Sequence, residues 1–375
     1  MAIEYVEIRG SNLEVIGIVD TAKSIIWHSK FFSVGNFEIY VQASPEIIAL
    51  LQVGNYVTRP DDLEVGIIEA IYIADNPQDG MMVTASGRFA KSLLDRRIIY
   101  NLSGNTNTPT ILKGNVETEV RRLVTENAIN CPWDELRNMQ VLALGELANL
   151  PQNIVGDGDE AQTQVFHDNL LTYTDALLQQ YGLGATVILD EAAHRLRYVI
   201  YAGADRSVNN SNGNDPIIFS KEFDNLTDSS YEYNEATYKN VALVGGEGEG
   251  IERFYAMVMS GISDILRREV WVDASSVTRK YKDENDTEKT YTDEEYTAML
   301  RVAGRQTLQA NTTTERFDGI VDIQNSAWKY NRDFALGDIV TVQNADIGKY
   351  INMRLREVLE VQDENGYAIE ANNQT

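Results

Sequence analysis

Any chemistry in this chain would have to come from a short inventory: His28, His167 and His194, the single Cys131, the run Gly245-Gly246-Glu247-Gly248-Glu249-Gly250, and 57 aspartates and glutamates. The histidines are scattered singly, with no HExxH pattern and no paired cysteines. A structural or catalytic zinc needs three or four convergent His, Cys or carboxylate ligands, so no metal site is expected. His167 reads as a residue on the polar face of a helix. Cys131 sits in Asn130-Cys131-Pro132-Trp133 with no evident base, and an unassisted cysteine is a small hydrophobe. No GxSxG elbow is present.

The glycine run follows a strand-like segment, as a phosphate loop would. It lacks the Walker lysine and the GxGxxG spacing, and it places Glu247 and Glu249 where an anionic phosphate needs donors. It reads as a flexible acidic loop. Glycoside hydrolysis needs two carboxyl groups at a defined separation, which so acidic a chain cannot reveal by sequence. Gly156-Asp157-Gly158-Asp159-Glu160 and Asp283-Glu284-Asn285-Asp286 look like calcium loops but miss the twelve-residue spacing. The expectation is therefore no catalytic, cofactor-binding or metal-binding residues, no cofactor and no enzymatic activity. Nineteen tyrosines and four tryptophans (Trp27, Trp133, Trp271, Trp328) could build a sugar-binding surface or an interface, or serve as strand formers.

Composition narrows the classes further. With 375 residues, 43% hydrophobic and 24% charged, the chain can bury a large core divided among two or three domains. A formal net charge of −25 repels phosphate, so sequence-specific nucleic-acid binding is not expected, although an acidic channel could let DNA slide through without gripping it. One cysteine allows no intrachain disulfide. Met1 to Gly10 carries Glu4 and Glu7 and no basic start, so no signal peptide is expected, and no window supplies the ~18 apolar residues of a membrane span.

The elements that must position these residues are mainly strands. Ile3 to Ile8, Leu13 to Val19, Ser24 to Phe32, Asn36 to Gln42, Tyr56 to Arg59, Glu64 to Ala74 and Met81 to Gly87 are β-rich runs cut by Gly10, Gly35, Gly54, Asn76-Pro77 and Asp79-Gly80. After the polar linker Asn101 to Pro109, Val116, Val120, Leu123, Val124 and Ala128 fall on one helical face, with Asn115 as cap. A second helix carries Phe166, Leu170, Tyr173, Leu177 and Tyr181, and a hairpin pairs Ala185 to Leu189 with Arg195 to Tyr201.

Strands return at Ile217 to Ser220, Thr237 to Val244, Phe254 to Met259, 316 to 324, 338 to 343, 351 to 361 and 367 to 370. A helix over about 292–311 starts at the capping box Thr292/Glu295. In the long strand Ile351, Met353, Leu355, Leu359 and Val361 share one phase, and Asn352, Arg354, Arg356 and Glu360 take the other. The fold class expected is α+β, mainly β, divided as a first β-domain over 1–110, an α+β insertion over 111–215 and a second β-domain over 216–375.

Two sets of segments resemble the hub proteins of siphophage tail tips, relatives of contractile-phage baseplate hubs and of the amino-terminal part of tail-associated lysins. The first set is Gly54-Asn55-Tyr56-Val57-Thr58-Arg59, Gly66-Ile67-Ile68-Glu69-Ala70-Ile71, and Val83-Thr84-Ala85-Ser86-Gly87 leading into Ser92-Leu93-Leu94-Asp95-Arg96-Arg97-Ile98. The second is Tyr330 to Asp333, Leu336-Gly337-Asp338-Ile339-Val340-Thr341-Val342 and Arg354-Leu355-Arg356-Glu357-Val358.

The resemblance implies two tube-like β-barrel domains, a homotrimer matching the sixfold tail above it, and a channel for DNA ejection. It also implies a distal tail ring protein, a tape measure protein and other tail-tip components as partners, and location at the virion tail tip after assembly in the host cytoplasm. Long relatives continue into a wall-degrading domain; this sequence ends at Thr375, so the structural role is the expectation carried forward. The rivals are a cell-wall-degrading tail-associated hydrolase, which needs converging carboxylates with shifted pKa values, and a carbohydrate-binding receptor module, which needs exposed Tyr or Trp lined up on one sheet face.

Overall fold

The computed structural model describes residues 3–103, 106–154, 162–259, 261–282, 287–321 and 326–374. In chain order the first stretch holds β1 (Val6–Arg9), β2 (Val15–Val19), β3 (Ala22–Lys30), β4 (Asn36–Gln42), the short helix α1 (Pro45–Leu50), β5 (Tyr56–Thr58), β6 (Gly66–Ile67), β7 (Ala70–Asn76) and β8 (Gly80–Arg88). The middle stretch adds β9 (Asn101–Ser103), β10 (Thr106–Thr108), β11 (Thr110–Lys113), α2 (Val116–Val124), β12 (Leu142–Leu144), β13 (Gln162–Val165), α3 (Leu170–Gln180), β14 (Gly184–Asp190) and β15 (Arg195–Tyr201). The last contributes β16 (Ile218–Ser220), β17 (Leu226–Asn234), β18 (Val241–Gly245), β19 (Tyr255–Met259), β20 (Glu269–Asp273), β21 (Lys280–Lys282), β22 (Glu288–Thr290), α4 (Asp293–Ala310), β23 (Thr314–Val321), β24 (Ile339–Asn344), β25 (Lys349–Asp363) and β26 (Gly366–Gln374). With 42% strand and 21% helix, the chain is mainly β with α+β insertions, as its sequence pattern indicates.

Strands from both ends of the sequence hydrogen-bond into one ten-stranded sheet, ordered β17-β23-β26-β25-β3-β4-β8-β7, with β24 also on β25 and β16 on β24. The join is β3 against β25, antiparallel from Ile25↔Gln362 to Lys30↔Glu357. Alternation drives it: Ile25, Trp27 and Ser29 of β3 and Phe37, Ile39 and Val41 of β4 all point inward. A small sheet, β2-β1-β5-β6, covers that face, so Val6, Ile8 and Val57 meet Trp27, Phe37 and Val83 in one core.

The middle stretch packs a core around α2, α3 and the β12-β15-β14 sheet, to which Tyr56, Val65, Leu93 and Leu94 of the first stretch also contribute. Asn115 and Asn169 cap the two helices by accepting the Thr118 and Thr172 backbone N–H groups. The second helix begins only at Leu170; Phe166 precedes it, and His167 stands before the cap at φ +49°, off the helical face expected for it. Near the end, α4 lies on the three-stranded sheet β19-β18-β20, and the capping box Thr292/Glu295 forms as read. Gly304 sets the close approach, since a Cβ there would lie 2.8 Å from methyls of both Val244 and Val258.

The long strand β25 departs from its expected phase. Ile351, Met353 and Leu355 are buried, but beyond them Val358 and Glu360 turn inward while Leu359 and Val361 do not. The cause is a bulge: Leu355 pairs Asn373 and Glu357 pairs Asn372, leaving Arg356 as the extra residue. One inserted residue swaps the faces of everything after it. The same point marks a change of neighbour, since β25 pairs β24 up to Arg354 and β3 from Glu357.

Candidate functional site

The turn after β5 carries Arg59, Asp61, Asp62 and Glu64 into the junction where all three stretches of the chain meet. Arg59 is almost wholly buried and grips Glu360 of β25 with two bonds of 3.1 Å each. Its remaining donors reach Asp61 at 3.0 and 2.8 Å, and its guanidinium lies 5.3 Å from the Trp27 ring centre. Tyr367 donates to Glu360 at 2.7 Å. Burial alone would lower the pKa of Arg59, but the Asp61 bonds and the Glu360 charge overcome it, so the guanidinium is held more firmly protonated than usual. This is a compensated buried network.

Asp62 and Glu64 stand differently. Glu64 accepts from Ser29 Oγ of β3 at 2.5 Å and Thr186 Oγ1 of β14 at 3.2 Å, while its backbone N–H donates to Asp62 at 2.7 Å. Neither carboxylate forms an ion pair among the described residues. Both border a cavity of about 480 Å³ whose wall is otherwise made by Leu63, Ile188, Val199, Tyr201, Tyr330 and Leu336 among others. Desolvation raises the Glu64 pKa to about 8, with the Asp62 charge adding to it, and burial raises Asp62 to about 6 despite the pull of Arg59. At pH 7 the pair therefore shares roughly one negative charge.

The residues singled out from the sequence do not converge. His28 is half-buried against Glu357 at 2.9 Å, and burial lowers its pKa. His194 sits in the β14–β15 turn. Cys131 is buried beside Arg137, 3.9 Å from its guanidinium. Among the described residues no cluster of three His, Cys, Asp or Glu could hold a metal, and no helix is long and apolar enough to cross a membrane. The acidic stretches 156–160 and 283–286 lie outside the described residues.

Only the start of the glycine run, Gly245 and Gly246, is buried, and Glu247 to Gly250 are exposed. Tyr296 Oη bonds the Glu247 backbone N–H at 2.8 Å, Glu247 takes the Arg279 N–H at 3.0 Å, and a Cβ on Gly246 would come within 2.6 Å of Tyr296. Gly246 allows the close approach to α4, whereas Gly248 and Gly250 supply the positive φ of the turn. The outward face of the adjoining sheet exposes Leu243, Tyr255, Met257 and Trp271, with the two aromatic rings 6.2 Å apart and Arg253 stacked on the indole.

Sequence reasoning named Arg59 only as part of a strand-end pattern and missed the acid pair. The one available signal was Asp61-Asp62-Leu63-Glu64 following a single arginine in an apolar context.

Three solved structures share this fold across the whole chain. The tail protein from Neisseria meningitidis MC58 is 13% identical, with 99% of this chain and 96% of that one covered at a TM-score of 0.57. The 43 kDa tail protein of prophage MuSo2 from Shewanella oneidensis is also 13% identical, covering 99% and 98% at 0.57. Prophage tail protein gp18 from Listeria monocytogenes EGD-e is 12% identical, covering 99% and 94% at 0.51. No curated protein matches the sequence. The profile of the family described as siphovirus ReqiPepy6 Gp37-like protein matches residues 5–372, so this chain belongs to that family, and it carries the fold of phage and prophage tail proteins.

Proposed function

We propose that this chain is the structural hub of a phage tail tip, assembled as a homotrimeric ring that joins the tail tube to the distal tip and lines the DNA ejection channel. The observation that carries the reading is the ten-stranded sheet in which strands of both chain ends combine, within a family and fold of tail proteins. On this reading residues 1–110 and 216–375 supply two tube-like units per chain, with 111–215 set between them. Three copies then present six units to the hexameric rings above. The partners are the distal tail ring protein, the tape measure protein and other tip components. Part of the −25 charge faces the lumen, where it repels DNA and lets it slide. The role is scaffolding, without catalysis, in the virion.

The deciding measurement is the solution mass of the purified chain by light scattering, with negative-stain images of the same peak. A mass three times that of the chain, with rings around a central hole, is expected; a compact monomer that stays monomeric when mixed with its tail ring protein would sink the hub. A second reading, glycan recognition, draws support from Trp271 and Tyr255 side by side on one sheet face. It expects retention on purified host cell wall that Trp271→Ala abolishes.

A further inference from the structure

We propose that the cavity between the turn after β5, the β14–β15 hairpin and the segment 330–336 is a binding site for an alkylammonium group: a positive nitrogen on an aliphatic stem. Three features define the ligand. The polar end of the cavity includes Asp62 and Glu64, carboxyl groups with no ion-pair partner among the described residues, whereas Asp61, which also lines it, is paired with Arg59, and Arg59 in turn with Glu360. The walls are apolar, from Leu63, Ile188, Val199 and Leu336, which suits a methylene chain and not a hydrated metal ion.

Independently of the acids, Tyr201 and Tyr330 line the same space, and the Asp62 and Glu64 charges act on both hydroxyls. Neither makes a hydrogen bond within the described residues, and both are desolvated enough to hold their protons more tightly than a free phenol. Unengaged hydroxyls beside unpaired carboxylates are what an ammonium takes up.

The other charges facing the site do not satisfy the acids. Arg59 is committed to Asp61 and Glu360. Lys91, which acts on Glu64 from a distance, is paired with Asp175 at 2.9 Å. Asp338, which acts on Tyr201, is itself paired with Arg206 at 3.0 Å. A cation entering here restores the balance, and it draws the proton from Glu64, since a nearby positive charge favours the carboxylate. Binding therefore strengthens as pH rises from 6 to 9. The source is either a free diamine or a lysine side chain on a neighbouring polypeptide, and the 480 Å³ admits both.

Isothermal titration of the full chain with cadaverine, Nα-acetyl-lysine methylamide and the neutral Nα-acetyl-norleucine methylamide tests the site. Saturable binding of a charged probe, with proton release shown by different apparent heats in two buffers of unequal ionisation enthalpy, is the expected result. Tighter binding of cadaverine points to a free diamine; tighter binding of the lysine amide points to a polypeptide. Glu64→Gln, which keeps partners for Ser29 and Thr186, should weaken the charged probe at least about tenfold, and Tyr330→Phe about threefold. Equal binding of the norleucine amide, no binding of either amine at about 10 mM, well above a weak-site Kd, or unchanged affinity in a folded Glu64→Gln chain would overturn the proposal. Each result is read on the chain alone and does not depend on whether it forms the tail hub.

Discussion

Arg59 and Glu64 lie five residues apart in one turn, yet their surroundings follow opposite rules. Arg59 gives up hydration and recovers it through Glu360, Asp61 and the Trp27 face, all within hydrogen-bond or stacking reach. Glu64 gives up hydration and recovers only two hydroxyl bonds. The first site keeps both charges, whereas the second raises its pKa toward neutrality. Burial by itself does not decide the state of an ionisable group; the partner does. A compensated network serves to fix the register between β3 and β25, and an uncompensated pair leaves a site open to another charge.

That contrast can be broken most severely at the bulge. Inserting one alanine between Val358 and Leu359, just past the bulge, would turn Glu360 outward and Leu359 and Val361 inward, and leave Arg59 facing apolar residues. The expected outcome is loss of cooperative unfolding in a thermal melt, with insoluble expression as the alternative sign of the same failure.

A gentler break is Glu360→Ala, which strands a buried guanidinium with Asp61 alone. It should cost about 3–5 kcal/mol in urea unfolding at fixed protein concentration. The double change Arg59→Met with Glu360→Met should cost clearly less than the sum of the single changes, because both charges leave together.

The opposite sign is expected at Glu64. Its folded pKa, near 8, lies above the ordinary carboxylate value, so the folded state holds the proton more tightly than the unfolded state. Stability then falls as pH climbs from about 4.5 to 8. Glu64→Gln removes that loss: it should be close to neutral at pH 5 and stabilising by about 1–3 kcal/mol at pH 9, read from paired melts. If the variant gains nothing at pH 9, the two sites are not opposites. The smallest effect belongs to a solvent pair: Lys280→Gln removes the exposed Lys280–Glu288 bridge and should leave the melting midpoint unchanged.

Local features were legible from the chain because local physics sets them. The Asn115 cap, the Thr292/Glu295 capping box, the strand Asn36–Gln42 and the hairpin at Gly184–Tyr201 all follow from capping chemistry, alternation and turn residues within a few positions. Strands β17 and β20 were not read, and β20 shows why. Its Glu269, Trp271 and Asp273 alternate with Val270 and Val272 like a surface strand, and it is α4, lying across the sheet, that covers the Val270 and Val272 face, while β18 pairs its edge. His167 was placed on a helix because Phe166 extends the helical period, but Asn169 starts the helix two residues later.

The candidate site was legible least of all. Its carboxyls come from one turn, their hydroxyl partners from Ser29 and Thr186, and the matched neighbour from Glu360, a separation of up to 301 residues. The sequence by itself determined a mainly β chain, its caps and hairpins, and an acidic surface, because propensity and periodicity act over a few residues. Only the tertiary structure decided which acids are neutralised and which are left waiting, because a one-residue bulge in β25 sets which way Glu360 points, and the field at a carboxyl depends on what the fold brings within a few ångströms of it.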